Sequence, residues 1–112
     1  METYLPSLKL QKLVEKTVTE EIVHIEGDGN YSRVVMLNGR FAVVTQNIQL
    51  LHQNLPPQFI RIHKSYVINV QYLAKILARQ KMLLLTNGMR LPIARRRYTE
   101  VKNIFKNYQK SA

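Results

Sequence analysis

The sequence contains no cysteine and no tryptophan, and acidic residues almost disappear after its first quarter. Without cysteine the chain has no disulfides and no thiolate metal ligands, and a reducing compartment such as the cytoplasm fits this composition. Its longest apolar runs, such as Met82 to Leu85, are far shorter than the roughly 20 residues of a membrane helix. The N-terminus also lacks the apolar core of a signal peptide. These absences predict a small cytoplasmic protein without a membrane anchor.

What the chain has in excess is positive charge. Its 112 residues hold 17 Lys and Arg against 7 Asp and Glu, a formal net charge of +10 at pH 7. Residues 1–28 carry a net charge of −3, whereas residues 29–112 carry +13, with Glu100 as their only acid. Internal ion pairs cannot neutralise such a segment, which therefore predicts a polyanionic partner. The alternative is a surface charged only for solubility, although such surfaces usually mix both signs.

Length and hydrophobic patterning predict one mainly β domain over residues 1–112. Alternating apolar and polar residues are typical of strands at Lys9–Thr19, Glu21–Glu26, Tyr31–Leu37, Arg40–Thr45, Phe59–His63, Tyr66–Val70, Ala74–Ala78, Lys81–Thr86 and Met89–Ile93. Turns are indicated at Gly27-Asp28-Gly29-Asn30, Asn38-Gly39 and Asn87-Gly88, the last two as hairpins. Two segments have helical spacing instead. They are Gln46–Leu55, with Thr45 as its cap, and the C-terminus from Ala94 onward.

Residues for catalysis or metal binding are scarce. No two of His24, His52 and His63 have the spacing of metal ligands on a helix, so we predict no metal site and no cofactor. His63 and Ser65 share a strand face, but a catalytic triad also needs a carboxylate, and Asp28 is the only Asp. The glycine-rich turn lacks the lysine of a phosphate-binding loop and precedes a strand instead of a helix. The sequence therefore predicts that the protein is not an enzyme.

Three segments carry the most specific motifs, namely residues 25–31, 59–69 and 87–98. The central one combines Phe-x-Arg-x-His-Lys-Ser-Tyr with an asparagine four residues after the serine. In this order and spacing the segments resemble the LytTR family, the DNA-binding domains of bacterial transcription regulators. The resemblance covers about residues 9–107.

The resemblance implies an elongated fold of about ten short strands in antiparallel sheets, with one short central helix and a C-terminal helix. It implies sequence-specific binding of double-stranded DNA by loops that enter successive major grooves, commonly at paired repeats bound by two copies. It also implies the output domain of a two-component response regulator. We expect no receiver domain in this chain, so a receiver or sensor would be a partner or a part of a longer protein.

The resemblance also places DNA contacts in all three segments, at Asn30, Tyr31, Ser32, Arg33, Arg61, His63, Lys64, Ser65, Arg95, Arg96 and Arg97. Arg96 is the best single candidate, because arginine pairs bidentately with guanine in the major groove. The three arginines open the predicted C-terminal helix, where anions bind and cations are unfavourable. Ala94 stands where the family often has serine, which removes one hydroxyl contact.

Several of these residues have structural alternatives. Arg61 could form a framework salt bridge, and His63 could lock a turn. Asn69, at the end of its strand, is predicted to cap a turn through its side chain. The predicted core residues are Phe59, Ile62, Tyr66, Ile68, Ile76 and Leu84.

Two other functions remain open from the sequence. A single-stranded nucleic-acid or RNA-binding β domain needs exposed aromatic side chains for base stacking. Most of the nine Phe and Tyr residues fall at core-like positions, which disfavours it. A protein-interaction module would use the basic face to bind an acidic partner. We favour double-stranded DNA binding.

Overall fold

The computed structural model describes residues 3–5 and 16–111, and these residues form nine strands, three α-helices and two 3₁₀ turns. The strands are β1 (Thr3–Leu5), β2 (Ile22–Asp28), β3 (Tyr31–Met36), β4 (Arg40–Val44), β5 (Phe59–His63), β6 (Tyr66–Asn69), β7 (Leu73–Leu77), β8 (Met82–Leu85) and β9 (Arg90–Pro92). The helices are α1 (Lys16–Thr19), α2 (Ile48–Gln53) and α3 (Tyr98–Ser111). The 3₁₀ turns are Val70–Tyr72 and Arg95–Arg97.

The strands form two sheets. The larger has the order β1-β4-β3-β2-β6-β5, and the smaller has the order β7-β8-β9. All paired strands are antiparallel except β1, which runs parallel to β4. The longest dimension is 37 Å, against 29 Å across. The structure confirms the predicted mainly β fold with a short central helix and a C-terminal helix.

Two hydrophobic clusters hold the elements together. One joins β5, β6 and the smaller sheet to α3, and its buried members include Ile62, Ile68, Leu83, Leu85 and Val101. The other lies between the larger sheet and α2, and includes Ile25, Val34, Leu51, Phe59 and Val67. Of the predicted core, Phe59, Ile62 and Ile68 are buried, whereas Tyr66 and Ile76 are partly buried against the first cluster. Leu84 is only half-buried, because Leu83 and Leu85 occupy the inward face of β8.

Both Asn-Gly hairpin turns are confirmed. Gly39 and Gly88 have φ angles of +84° and +89°, in the left-handed region that glycine reaches without steric cost. The glycine N–H donates to the carbonyl three residues earlier, at 3.0 Å for Gly39 and 2.9 Å for Gly88. The oxygen of Asn38 or Asn87 accepts from the N–H two residues later, at 3.0 Å in both turns. These local bonds fix the register of both hairpins.

Asn69 caps a turn, as predicted. Its Oδ1 accepts from the Gln71 N–H at 3.1 Å, which begins the first 3₁₀ turn. Its Nδ2 donates to the Ile22 carbonyl at 2.9 Å, and the whole residue is buried. The amide therefore also joins β6 to the start of β2.

The prediction of a strand over Lys9–Thr19 is wrong for the part that the structure describes. Residues 16–19 form the helical turn α1, and residues 9–15 lie outside the described residues. Val18 packs against the cluster under α2, and Thr19 is buried. Tertiary contacts therefore override the loose alternation in this segment.

The central helix is shorter than predicted, and its cap differs. It covers Ile48–Gln53 instead of Gln46–Leu55, and Asn47 caps it in place of Thr45. The Asn47 Oδ1 accepts from the Leu50 N–H at 2.8 Å, the usual contact of an N-cap side chain.

The first glycine-rich turn is also shorter than predicted. β2 continues through Gly27 to Asp28, which pairs with Tyr31, so only Gly29 and Asn30 form the turn. Gly29 has a φ of +60°. Gly27 is required for a different reason, because α2 lies directly against it. A Cβ built on Gly27 would lie 2.8 Å from Ile48 Cβ and 2.9 Å from its Cγ2.

We therefore expect Gly27→Ala to lower the free energy of unfolding by about 1–3 kcal/mol, the usual cost of overpacking. Urea denaturation would measure this loss. Adding Ile48→Ala removes Cγ2 and should relieve part of the clash, so the double variant should lose less stability than the two single losses together. Strictly additive losses would contradict this account of Gly27.

Candidate nucleic-acid interface

Two turns lie side by side at one end of the larger sheet. The β2–β3 turn is Gly29-Asn30, and the β5–β6 turn is Lys64-Ser65. Because β2 and β6 are antiparallel neighbours, with Glu26 opposite Tyr66, the end of β2 and the start of β6 meet at the same end. The Gly27 N–H donates to the Ser65 carbonyl at 2.8 Å and joins the two directly.

The third segment joins them through β5. The Ala94 N–H donates to the Ile62 carbonyl at 2.8 Å, which attaches the start of the 3₁₀ turn Arg95–Arg97 beside the β5–β6 turn. A shallow depression of about 380 Å³ is lined by His63, Lys64 and residues 94–97. We call the surface formed by the accessible residues among 28–33, 63–65 and 94–97 the three-turn face.

The prediction that the three arginines open an α-helix directly is wrong. They form a 3₁₀ turn, and α3 begins after them at Tyr98. Ala94 precedes this turn and makes no side-chain capping bond. Arg95 and Arg96 are exposed and Arg97 is half-buried. In the described part of the chain none of the three forms an ion pair with a carboxylate. Their charges are therefore available to an external anion.

Arg61 and His63 hold the backbone of the β5–β6 turn by hydrogen bonds, which we call the clamp. The Arg61 Nε donates to the His63 carbonyl at 2.8 Å, and its Nη2 donates to the Lys64 carbonyl at 2.5 Å. Burial and, to a smaller extent, the charge of Arg97 lower the pKa of Arg61 from its ordinary value. The guanidinium is thus engaged with backbone, as a framework residue would be, although its partners are carbonyls and not a carboxylate.

His63 completes this clamp. Its Nδ1 accepts from the Ser65 N–H at 3.1 Å, so in the neutral ring the hydrogen is on Nε2. Burial lowers the pKa of His63, and the charges of Lys64, Arg61 and Arg97 lower it further. Because Arg61 and His63 both hold the backbone of the turn, the exposed side chain of Lys64 projects from a fixed position.

The β2–β3 turn and the first residues of β3 contribute both exposed and paired side chains. Asn30 is exposed, and so is Tyr31, with 44% of its surface accessible. The Tyr31 hydroxyl donates to Asp28 Oδ2 at 2.8 Å, and this bond, followed by the charge of Asp28, raises the pKa of Tyr31. Arg33 forms an ion pair with Glu26 at 3.2 Å. Its guanidinium also lies 4.1 Å from the ring centroid of Phe41.

Ser32 does not belong to the accessible face. It is fully buried, and its hydroxyl donates to the Gln46 carbonyl at 2.8 Å. The reason is the two-residue period of β3, which turns Ser32 inward together with Val34. Ser32 therefore supports the turn from below, and the prediction that it contacts a ligand is corrected.

Arg61 provides a test of the clamp. We expect Arg61→Lys, which keeps the charge but not the two-pronged donor, to weaken DNA binding while leaving the slope of log K against log salt unchanged. The slope stays the same because Arg61 donates to carbonyls and not to phosphates. Fluorescence anisotropy over a range of salt concentrations measures both quantities. A slope reduced by about one phosphate would instead make Arg61 a direct contact.

Two further residues that contact the three segments were not predicted. Lys81 has a φ of +54°, and its Nζ lies 4.0 Å above the ring of Tyr98, the first residue of α3. Ile48 determines how closely α2 approaches the first turn. Neither leaves a local sequence signal, because both act through contacts between distant segments.

Within residues 3–5 and 16–111 we find no group of three or more His, Asp or Glu side chains that could hold a metal ion. No helix in this part of the chain is long and apolar enough to cross a membrane.

The two mainly antiparallel sheets bring two basic turns and the β2–β3 turn together, and this β-type domain presents a basic surface of the kind that binds polyanions. The family model of the LytTr DNA-binding domain matches residues 4–106. The chain therefore belongs to the LytTR family, which is a DNA-binding and not an enzymatic family.

The chain is also similar to two other known proteins. The chain is 27% identical over 101 residues to the CO-responsive transcriptional regulator RcoM of Rhodospirillum rubrum. This match covers 87% of the chain but only 43% of RcoM, so the chain spans less than half the length of this curated relative. The solved LytTr DNA-binding domain from Bacillus cereus has the same fold, with a TM-score of 0.63 at 21% identity. That comparison covers 78% of this chain and 80% of the other.

Proposed function

We propose that this domain binds double-stranded DNA sequence-specifically, as the output part of a bacterial transcription regulator in the cytoplasm. The observation that carries the proposal is the gathering of Lys64, Arg95 and Arg96 on one exposed face without carboxylate partners among the described residues. Like charges held this close repel one another, and an array of phosphates would offset that repulsion.

Phosphate contacts supply most of the affinity and base contacts supply the specificity. In this division of roles Lys64, Arg95 and Arg97 bind phosphates, and Arg96 pairs with the O6 and N7 atoms of a guanine. Asn30, Tyr31 and Ser65 contact the neighbouring groove or its backbone. In keeping with the family resemblance, the turns enter successive major grooves on one side of the duplex.

Two copies would occupy paired repeats. A single domain of this size covers few base pairs, and two repeats on one side of the duplex multiply the specificity. A receiver or sensor, as a partner or a further domain, would supply the signal. The matched relative is named for its response to CO, and the chain covers less than half of it.

The separate positions of the exposed aromatic side chains argue against a single-stranded nucleic acid as the ligand. The exposed large hydrophobic residues of the described part include two aromatics, Tyr31 and Tyr108, which lie on the first turn and in the last turns of α3. Base stacking along a strand needs neighbouring aromatics on one surface. Binding of an acidic protein by the basic face is the remaining alternative, and competition separates it from DNA binding.

The test begins with selection of bound duplexes from a random pool, which supplies the selected duplex used below. We expect the selected duplex to bind more tightly than either of its single strands or a random duplex. Its log K should fall by about 0.9 per phosphate contact for each unit of log salt. Equal affinity for single strands, or displacement by an acidic protein at lower concentration than by duplex, would overturn the proposal.

A further inference from the structure

Asp28 is the only acidic residue of the three-turn face. It is the only Asp of the chain, and residues 29–112 contain one acid. It ends β2 beside the first turn and is exposed. A negative charge here repels phosphates, so it weakens the non-specific part of DNA binding. It therefore opposes the electrostatics of the face around it.

Glu26, two residues earlier, differs because its charge is matched locally. Its Oε2 lies 2.9 Å from His24 Nε2, and its Oε1 accepts from Arg33 at 3.2 Å. Asp28 has no basic partner among the described residues. Its Oδ2 accepts from the Tyr31 hydroxyl at 2.8 Å, and its Oδ1 makes no hydrogen bond within that part of the chain. One oxygen is thus held in place while the other remains available.

Asp28 lines a cavity shared by two turns. Asp28, Tyr31 and Ser65 are among the residues that line a cavity of about 370 Å³. Ser65 belongs to the turn that also presents Lys64, and Lys64 shares its depression with Arg95–Arg97. A duplex seated on the basic turns would therefore bring a groove edge against Asp28.

Resting on the proposed function, we infer that Asp28, oriented by Tyr31, accepts a hydrogen bond from the 4-amino group of a cytosine in the major groove. Cytosine presents only a donor there, whereas guanine and thymine present acceptors that a carboxylate repels. Adenine presents an amino group beside the N7 acceptor, which makes it the weaker match. Asp28 thus determines specificity both by its hydrogen bond to cytosine and by repelling the wrong bases, at some cost in non-specific affinity.

The test combines a protein variant with a base analogue. Each cytosine of the selected duplex is replaced in turn by 2-pyrimidinone, which lacks the 4-amino group. At one position wild-type affinity should fall about tenfold. Asp28→Ala should bind the parent duplex about tenfold more weakly, with no further loss on that analogue, and should bind random duplex as well as or better than wild type. Repeated selection with this variant should relax the cytosine at that position.

Two further variants serve as controls. Glu20→Gln removes the same charge from an exposed residue just before the opposite end of β2. The length of β2 places this residue about 20 Å from Asp28, since a strand rises by about 3.3 Å per residue. It should leave the base preference unchanged. Tyr31→Phe removes only the orienting hydroxyl and should weaken the preference at the same position by less than Asp28→Ala. Melting temperatures show whether each variant is folded.

The outcomes separate this inference from the proposed function. If wild type selects a motif but Asp28→Ala selects the same motif with the same preferences, the inference is wrong and the proposed function stands. If Asp28→Ala weakens selected and random duplexes equally, the carboxylate supports the turn and reads no base. If wild type selects no motif, both are overturned.

Discussion

Replacing Arg96 by alanine is expected to weaken binding to the selected duplex by about 1–3 kcal/mol and to relax base preference at one position. Arg96 is exposed in the 3₁₀ turn that precedes α3, and the Ala94 N–H bond to Ile62 holds this turn beside Lys64. Removing a bidentate contact to guanine costs specificity, whereas removing a phosphate contact costs affinity on every sequence. Anisotropy titrations with selected and random duplexes measure the two losses.

Lys110→Ala is the matched control for Arg96→Ala. It removes one positive charge near the far end of α3, and about 12 residues of helix separate it from Tyr98, roughly 18 Å at 1.5 Å per residue. We expect little change in affinity and none in base preference. If Arg96→Ala weakens both duplexes equally, Arg96 contacts a phosphate and the base contact lies elsewhere on the face.

Ile62→Ala is expected to cause the largest loss of stability, about 2–5 kcal/mol in the free energy of unfolding. Ile62 is fully buried in the cluster that joins β5 and the smaller sheet to α3, and its carbonyl accepts from Ala94. Truncation would leave a cavity in this cluster, next to the strand that holds the arginine turn. Urea denaturation followed by circular dichroism measures the loss.

Ile62→Val gives the graded comparison. It removes one methyl group and should cost about 0.5–1.5 kcal/mol. If both variants unfold at the same urea concentration as wild type, the side chain is not tightly packed and the core assignment is wrong.

The sequence predicted best where bonds are local. The Asn-Gly hairpins need only their own four residues, and the strand Phe59–His63 has the predicted bounds, with Arg61 and His63 less buried than Ile60 and Ile62. The prediction of a strand over Lys9–Thr19 was wrong at Lys16–Thr19, because Val18 packs against a cluster formed by distant segments. A four-residue helix of this kind has little intrinsic stability and depends on what it packs against.

In the candidate site, too, the local motifs were predictable and the contacts between distant segments were not. Motifs identified the three segments, but only the fold shows that Gly27 and Ser65 are hydrogen-bonded across 38 positions of sequence. Ser32 was misassigned although a signal existed, because Val34 two positions later is apolar and indicates the inward face of β3. The carbonyl contacts of Arg61 had no such signal, since an arginine in a strand has the same pattern whether it faces solvent or backbone.

Methylation interference on the selected duplex tests the central claim most directly. Dimethyl sulfate methylates guanine N7 in the major groove and adenine N3 in the minor groove. If the turns of one face enter successive major grooves, guanine N7 methylation should block binding in clusters about one helical turn, or about 10 base pairs, apart on one side of the duplex. Interference only at adenine N3, or none at any base, would contradict readout by the three-turn face.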